Sequence, residues 1–481
     1  MSRKPYPAAA LFALALASPG ASAVSLNPRG LGEVLVYPYY TVNKNQDTLV
    51  TIGNASDSGK MVGVVVREGM NGRAVHEFRL FLSAHDVWTA RISATGASGG
   101  AVLYTNDTSC TWPVQGPEGL AFPAEPYAGG AIFPADGGPT GIERTREGTI
   151  EFIEASRIVA DSDLEATITH VQDGSPGSGR PECDPTIVGP APIHDDWNTA
   201  PSGELYGSAA IVNVGEGTFF GYTANALADF SDLPLMSFSG LMPFEMLETA
   251  NSSESTIGGA IAHVLDAQGS PRALEFEAGR DAVSAVFMAE SLLNEYLVAS
   301  SLGANTDWVI TMPTRMFHVD EYHASSAGPW PPFPRMAVAA RADVAVHARV
   351  YDQEEGFAPC PDCGEGGGTT LMLPWQVNVL TFRALGSADA PSEVLGSKLA
   401  LSIEPWGDAG WMQLDLANGD GGHELVANVG GTILHGLPVT GFMVYNIINA
   451  NAAPGRLANY GGAFAHRASV AHSQVPAGAS E

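Results

Sequence analysis

Apolar residues in this chain recur at every second position over short runs, and that period decides the fold class. Val62, Val64 and Val66 share one face of an extended segment, as do Phe78, Leu80 and Leu82. Glu33–Tyr37, Thr48–Ile52 and the segment opening at Val87-Trp88-Thr89-Ala90 carry the same β-branched and aromatic bias. Turn residues punctuate these runs: Pro38 after the first, Gly53-Asn54 after the second, Glu68-Gly69 after the Val62–Val66 run. The 55 Gly and 33 Pro suit many turns between short strands, and an apolar content of 45% excludes a disordered chain. The expected fold is mainly β, in antiparallel β-sandwich units of immunoglobulin-like type with long Gly/Pro-rich loops.

A chain of 481 residues exceeds what one core usually holds. The strand pattern also recurs. Asp307-Trp-Val-Ile-Thr311 echoes Thr48–Ile52, and Val344–Val350 echoes Val62–Val66. Leu371–Leu373 followed by Gln376–Asn378 echoes Leu80–Leu82 followed by Asp86–Trp88. Two related sandwich units are expected, over residues 24–300 and 301–465, with a flexible tail over 466–481. The first would carry an irregular insertion at about 112–204, interrupted by strands at Thr149–Ile153 and Ala166–Thr169. Alternation resumes over Leu205–Ala224, and further strands are expected at Leu399–Ile403, Trp411–Leu416 and Gly441–Ile448. One minor helix is expected over Ala282–Ser301, where Val283, Val286, Phe287, Ser291, Leu293 and Leu297 approximate a 3.6-residue period and Gly303 stops it.

The first 23 residues have the layout of a secretory signal peptide: Arg3 and Lys4, an apolar run over Ala8–Ala17, then Ala21-Ser22-Ala23 as a small-residue cleavage site. Export is therefore expected, to the cell surface or the medium, with the periplasm as the alternative. No later apolar stretch reaches the ~18 residues of a helical membrane span. In an oxidising compartment Cys110, Cys183, Cys360 and Cys363 suggest two disulfides. Cys360 and Cys363 would bridge a local loop, leaving Cys110 to pair with Cys183 across the insertion. The formal charge is −29, which disfavours nucleic acid and anionic lipid and keeps a secreted protein soluble.

Motifs for chemistry are few. Gly96-Ala-Ser-Gly-Gly100 matches the G-x-S-x-G pattern but sits in a Gly-rich turn rather than between a strand and a helix. His318-Val-Asp-Glu-Tyr-His323 gathers metal-ligand types, with His318, Asp320 and His323 as candidates at a strand end entering a loop. Asp415 and Asp420 in Asp415-Leu-Ala-Asn-Gly-Asp420 offer oxygen ligands for a structural calcium, as do Asp161-Ser-Asp163 and Asp195-Asp196. Glu151 and Glu154 flank an apolar strand, and Glu404 precedes Trp406 with Trp411 near, a composition that suits sugars. Trp330 and Phe333, in a Pro-rich loop, are the candidate contact patch.

Asn27-Pro-Arg-Gly-Leu-Gly-Glu-Val-Leu-Val-Tyr-Pro-Tyr-Tyr-Thr-Val-Asn43 resembles the mature start of a family of uncharacterised secreted proteins of Gram-negative bacteria. Asn294-Glu-Tyr296, Thr306–Arg315 and Leu457–Gly462 resemble its later landmarks. The resemblance implies export from a Gram-negative cell and carries no site residues. The expected role is a non-catalytic structural, adhesive or binding protein whose partner is an extracellular or cell-surface protein or polysaccharide. The alternatives are a secreted carbohydrate-binding protein or glycoside hydrolase, and a periplasmic protein that binds client chains through edge strands.

Overall fold

The fold is taken from a computed structural model that describes residues 23–131, 133–171, 179–189, 199–235, 247, 250, 259–266, 269–324, 328–356, 368–383, 391–419, 422–428, 431–449, 453 and 455–474. It is mainly β. In the first half we label β1 (Val34–Thr41), β2 (Asp47–Asn54), β3 (Lys60–Glu68), β4 (Ala74–Leu82), β5 (Val87–Ala94), β6 (Ala101–Tyr104), β7 (Glu147–Arg157), β8 (Leu205–Asn213), β9 (Thr218–Thr223) and β10 (Asn225–Ala228). In the second half, β11 (Ser291–Leu297), β12 (Ala304–Thr311), β13 (Val344–Asp352), β14 (Thr369–Leu373), β15 (Val377–Phe382), β16 (Ala400–Ile403), β17 (Ala409–Asp415), β18 (Thr440–Ile447), β19 (Tyr460–Ala465) and β20 (Arg467–Ser469) follow.

The halves repeat one topology. A nine-stranded sheet contains the consecutive order β10-β1-β7-β3-β4, and a six-stranded sheet the order β9-β8-β2-β5-β6. The second half has two five-stranded sheets, ordered β20-β11-β17-β13-β14 and β19-β18-β12-β15-β16. Adding ten to each label converts the first pair of orders into the second. Neighbours within these orders pair antiparallel in both halves, with one difference: β5 and β6 are antiparallel, whereas β15 and β16 are parallel. Extra strands extend the first half. Cys110–Trp112 joins β4, Leu120–Ala121 joins β6, and Val24–Leu26 and Ala260–Leu265 continue beyond β10.

Period-two patterning explains the cores. Val62, Val64 and Val66 of β3 meet Val50 and Ile52 of β2 and Trp88 of β5, so one apolar cluster draws on both sheets of the first half. Val344 and Val346 of β13 meet Trp308 and Ile310 of β12 and Met412 and Leu414 of β17 in the same manner. Burial of each such side chain contributes about 1.5–3 kcal/mol. A third cluster joins the halves, with Tyr39, Ile211 and Phe220 packed on Val309, Val377 and Phe442. Polar contacts reinforce that junction: Thr311 Oγ1 donates to Pro38 O (2.6 Å) and Ser397 Oγ donates to Glu147 Oε2 (2.5 Å).

Several expectations change. Pro38 lies within β1 rather than ending a strand. The β1–β7 ladder passes from Tyr37↔Ile150 to Tyr40↔Gly148, a bulge that spares a proline the ladder N–H it lacks. The expected helix over Ala282–Ser301 is instead α1 (Gly279–Phe287) followed by β11. Leu292, Asn294 and Tyr296 also satisfy a period of two, and pairing with β17 settles the conflict. Ala166–Thr169 is not a strand; a helix covers Asp163–Ile168, with the Ser162 side chain accepting from Glu165 N. Short helices also occur at Glu125–Ala128, Pro185–Val188 and Arg315–Val319, the last labelled α2, so the helix is not single. The expected insertion contains β7, a central strand. By strand order the second set opens at Ser291. The sequence echo is also out of register, since it aligns exposed Leu49 with fully buried Trp308.

Cys110 and Cys183 form a disulfide across a separation of 73 residues. It fastens the edge strand Cys110–Trp112 to the segment before the Pro185–Val188 helix. Cys360, Cys363, Asp195, Asp196 and the expected signal peptide up to residue 22 lie outside the described residues.

Candidate functional site

Of the expected metal residues, the structure describes the side chains of His318, Asp320 and Asp415. His318 sits on α2, fully buried, rather than at a strand end. Its Nε2 lies 2.9 Å from Ser284 Oγ on α1, and that hydroxyl lies 2.7 Å from Thr314 Oγ1. Asp281 Oδ1, also on α1, is 4.0 Å from His318 Nδ1. The residue types match an acyl-transfer triad, but the physics does not. Ser284 and His318 are both closed off from solvent. The His–Asp separation exceeds hydrogen-bond range. Burial, with the nearby Arg280 charge, pushes His318 down to about 3, too low for a general base at neutral pH. Burial pushes Asp281 up to about 6. The cluster fastens α1 to α2.

Asp320 is ion-paired with Arg73 (2.8 Å), a buried link between the two halves. Desolvation raises the Asp320 carboxyl, and Arg73 opposes that rise. Asp415 Oδ1 accepts from Ala417 N (3.0 Å) and shapes its own turn. The His323 side chain and Asp420 lie outside the described residues. Among the described residues no group of three His, Cys, Asp or Glu is placed to hold a metal ion. Phe333 is buried against His318 (ring centroids 5.3 Å apart), so it belongs to the core rather than to a contact patch. Trp330 is half-buried beneath the Arg280 guanidinium (4.7 Å).

The carboxylates that flank an apolar strand are engaged. Glu151 pairs with Arg67 (2.8 Å) and Glu154 with Lys60 (2.9 Å), all four buried. Glu404 lines a cleft of about 280 Å³ between β13, β14 and β16, with Arg349, Tyr351 and Ser402. Trp411 stacks on Tyr351 (4.3 Å, 12°), and Trp406 is 63% exposed. Gly96–Gly100 is a turn between β5 and β6 whose carbonyls at Gly96 and Gly99 accept from Arg146 Nη1. No helix follows Ser98 there.

A different surface stands out: the outer face of the six-stranded sheet. Side chains alternate across a strand, so β2 turns Val50 and Ile52 inward and Asp47, Leu49, Thr51 and Gly53 outward. Register then assembles rows across the sheet. Thr89, Thr51, Ser208 and Thr223 stand in line over β5, β2, β8 and β9. Arg91, Leu49, Ala210 and Gly221 form the next row. Tyr206 stands opposite Gly53, and Phe219 opposite Val212. Leu49 is 41% exposed, Tyr206 41% and Phe219 61%.

Neither aromatic ring stands away from the sheet. A Cβ added to Gly53 would fall 2.3 Å from Tyr206 Cζ, so the ring lies directly on the bare backbone of β2. A Cβ added to Gly221 would fall 3.1 Å from Phe219 Cε1, in a gentler version of the same arrangement. Sequence reading missed this pair. Its signal was the alternation Tyr206-Gly-Ser-Ala-Ala210 and the placement of Gly in two strands otherwise rich in β-formers.

No family model, curated protein or solved structure matches this chain.

Proposed function

We propose that this chain is an exported, non-catalytic binding protein of the cell surface or extracellular medium. In this reading it is built as two β-sandwich units, and it recognises its partner through the outer face of the six-stranded sheet. The observation that carries the reading is that face: Leu49, Tyr206, Phe219 and Val87 lie exposed together on an ordered sheet, where a chain of net charge −29 could have placed carboxylates. The continuous cores and the bonded junction support a scaffold that holds this face rigid. The engagement of Glu151, Glu154, Ser284 and His318 inside that scaffold supports a structural role for them.

Localisation tests the reading. A C-terminal tag, cell fractionation and external protease on intact cells should place the protein on the surface or in the medium. Protein confined to the cytoplasm would overturn export. Confinement to the periplasm would overturn the surface role and favour client binding there.

A further inference from the structure

We propose that the outer face of the six-stranded sheet binds a neutral, extended polysaccharide. The inference rests on the reading that this face is the recognition surface, and adds the chemistry of what it recognises.

Three properties of the face converge on such a ligand. The first is ring posture. Tyr206 and Phe219 reach over Gly53 and Gly221, so each ring is held against bare backbone while staying partly exposed to solvent. The electron-rich face of an aromatic ring attracts the polarised C–H groups on the apolar side of a sugar ring. A ring already held against the backbone beside it loses little freedom on binding. The second is the hydroxyl row. Thr89, Thr51, Ser208 and Thr223 carry donors and acceptors across four adjacent strands. Sugar hydroxyls need that two-way capacity, which a row of carboxylates or ammonium groups lacks. The third is charge. Among the outward residues of β2, β5, β8 and β9 only Asp47 and Arg91 are charged. A polyanion would need basic residues here, and the −29 chain repels it.

The layout favours a polymer over a single sugar. Phe219 pairs with Val212, six residues along β8 from Tyr206. The Cα atoms of the two residues are therefore roughly 20 Å apart along the strand direction, with the Phe219 ring leaning back toward Gly221. A single pyranose covers one ring, while an extended chain can reach both. The face is also open, so a long polymer can lie across it without an end to thread.

Affinity electrophoresis in native gels tests the inference, with hydroxyethylcellulose, xylan or galactomannan cast into the gel, alginate as the anionic control, and pull-down on chitin beside it. Retardation or retention by at least one neutral polymer and none by alginate is expected. Tyr206→Ala and Phe219→Ala should each weaken it about fivefold or more, while Tyr206→Phe keeps it. Circular dichroism checks that each variant is folded. Failure of every neutral polymer, or binding that survives both alanine variants, would overturn the inference. So would a concentration-dependent dimer in sedimentation that Phe219→Glu dissolves, since a second copy would then own the face. Surface-located protein that ignores all these glycans would sink this inference alone; glycan binding by a protein confined to the periplasm would sink the surface role alone.

Discussion

Two sheets with the same strand order meet different surroundings. In the first half the outer face of β2, β5, β8 and β9 is open, with Leu49 and Phe219 exposed. In the second half the matching face of β12, β15 and β18 is closed, because Val309, Val377, Val379, Phe442 and Val444 pack in the cluster that joins the halves. The difference is written in side-chain chemistry. The closed sheet is apolar on both faces, so Trp308-Val-Ile310 and Val377–Phe382 read as near-continuous hydrophobic strands. The open sheet mixes apolar and hydroxyl residues on its outer face, as with Leu49 and Thr51 of Thr48-Leu-Val-Thr-Ile52. Shared topology thus fixes which residues face outward, and the residue type there decides whether the face docks on its own chain or meets something else.

The comparison can be broken most severely at Val309. Val309→Glu would place an unpaired carboxylate in the junction, at a cost of about 3–5 kcal/mol. Urea unfolding should show a large loss, and wild-type-like stability would refute the closed face. Next comes the crosslink, which the second half lacks among its described residues. Cys110→Ser with Cys183→Ser should cost about 2–5 kcal/mol. Hydrogen exchange should rise first in β4 and its edge neighbour Cys110–Trp112, leaving β12 and β15 protected; uniform loosening would contradict that polarity.

Acid should sharpen the contrast. Burial pushes Glu33 up to about 7, while the N–H groups of Phe230 and Ser231 that it accepts pull the other way. The folded state then holds a proton that the unfolded state loses near pH 4.5. Its stabilising contribution is full below about pH 4.5 and is lost as pH rises through 7, amounting to about 3 kcal/mol at most. His466, in the second half, is pushed down to about 4 by burial, against the Val309 carbonyl that its Nε2 meets. Its contribution is present above about pH 6.5 and is lost as pH falls through 4. Urea melts between pH 4 and 8 should show Glu33→Gln flattening the loss of stability with rising pH, and His466→Gln flattening the loss with falling pH. The smallest effect belongs to the open face: Leu49→Glu should change stability by no more than about 0.5 kcal/mol.

Much of the β framework was legible because period two survives in single strands: Val62–Val66, Phe78–Leu82 and Asp307–Thr311 all fall in strands. Duplication was legible as a pattern, but its register was not. Alternating strands match one another equally well when slid by one residue, and only the inward position of Trp308 against the outward position of Leu49 resolves the shift. The short helix at Asp163 was hidden by its length, although Ser162-Asp-Leu-Glu165 has the spacing of a capping box. The Cys110–Cys183 bridge followed from counting cysteines. The candidate site was harder to read. His318, Asp320 and Phe333 attracted notice for their chemistry, yet burial engages all three. Tyr206 became visible only when register set its ring on Gly53, a relation between strands that no local window contains, and register alone placed Phe219, which reaches Gly221 within its own strand, on the same face.

The most direct measurement is retention of purified protein on cell-envelope preparations, comparing wild type with Phe219→Glu and Leu49→Glu at matched melting temperatures. The account predicts that both variants fold normally and lose retention. Equal retention by folded variants would contradict the open face as the recognition surface.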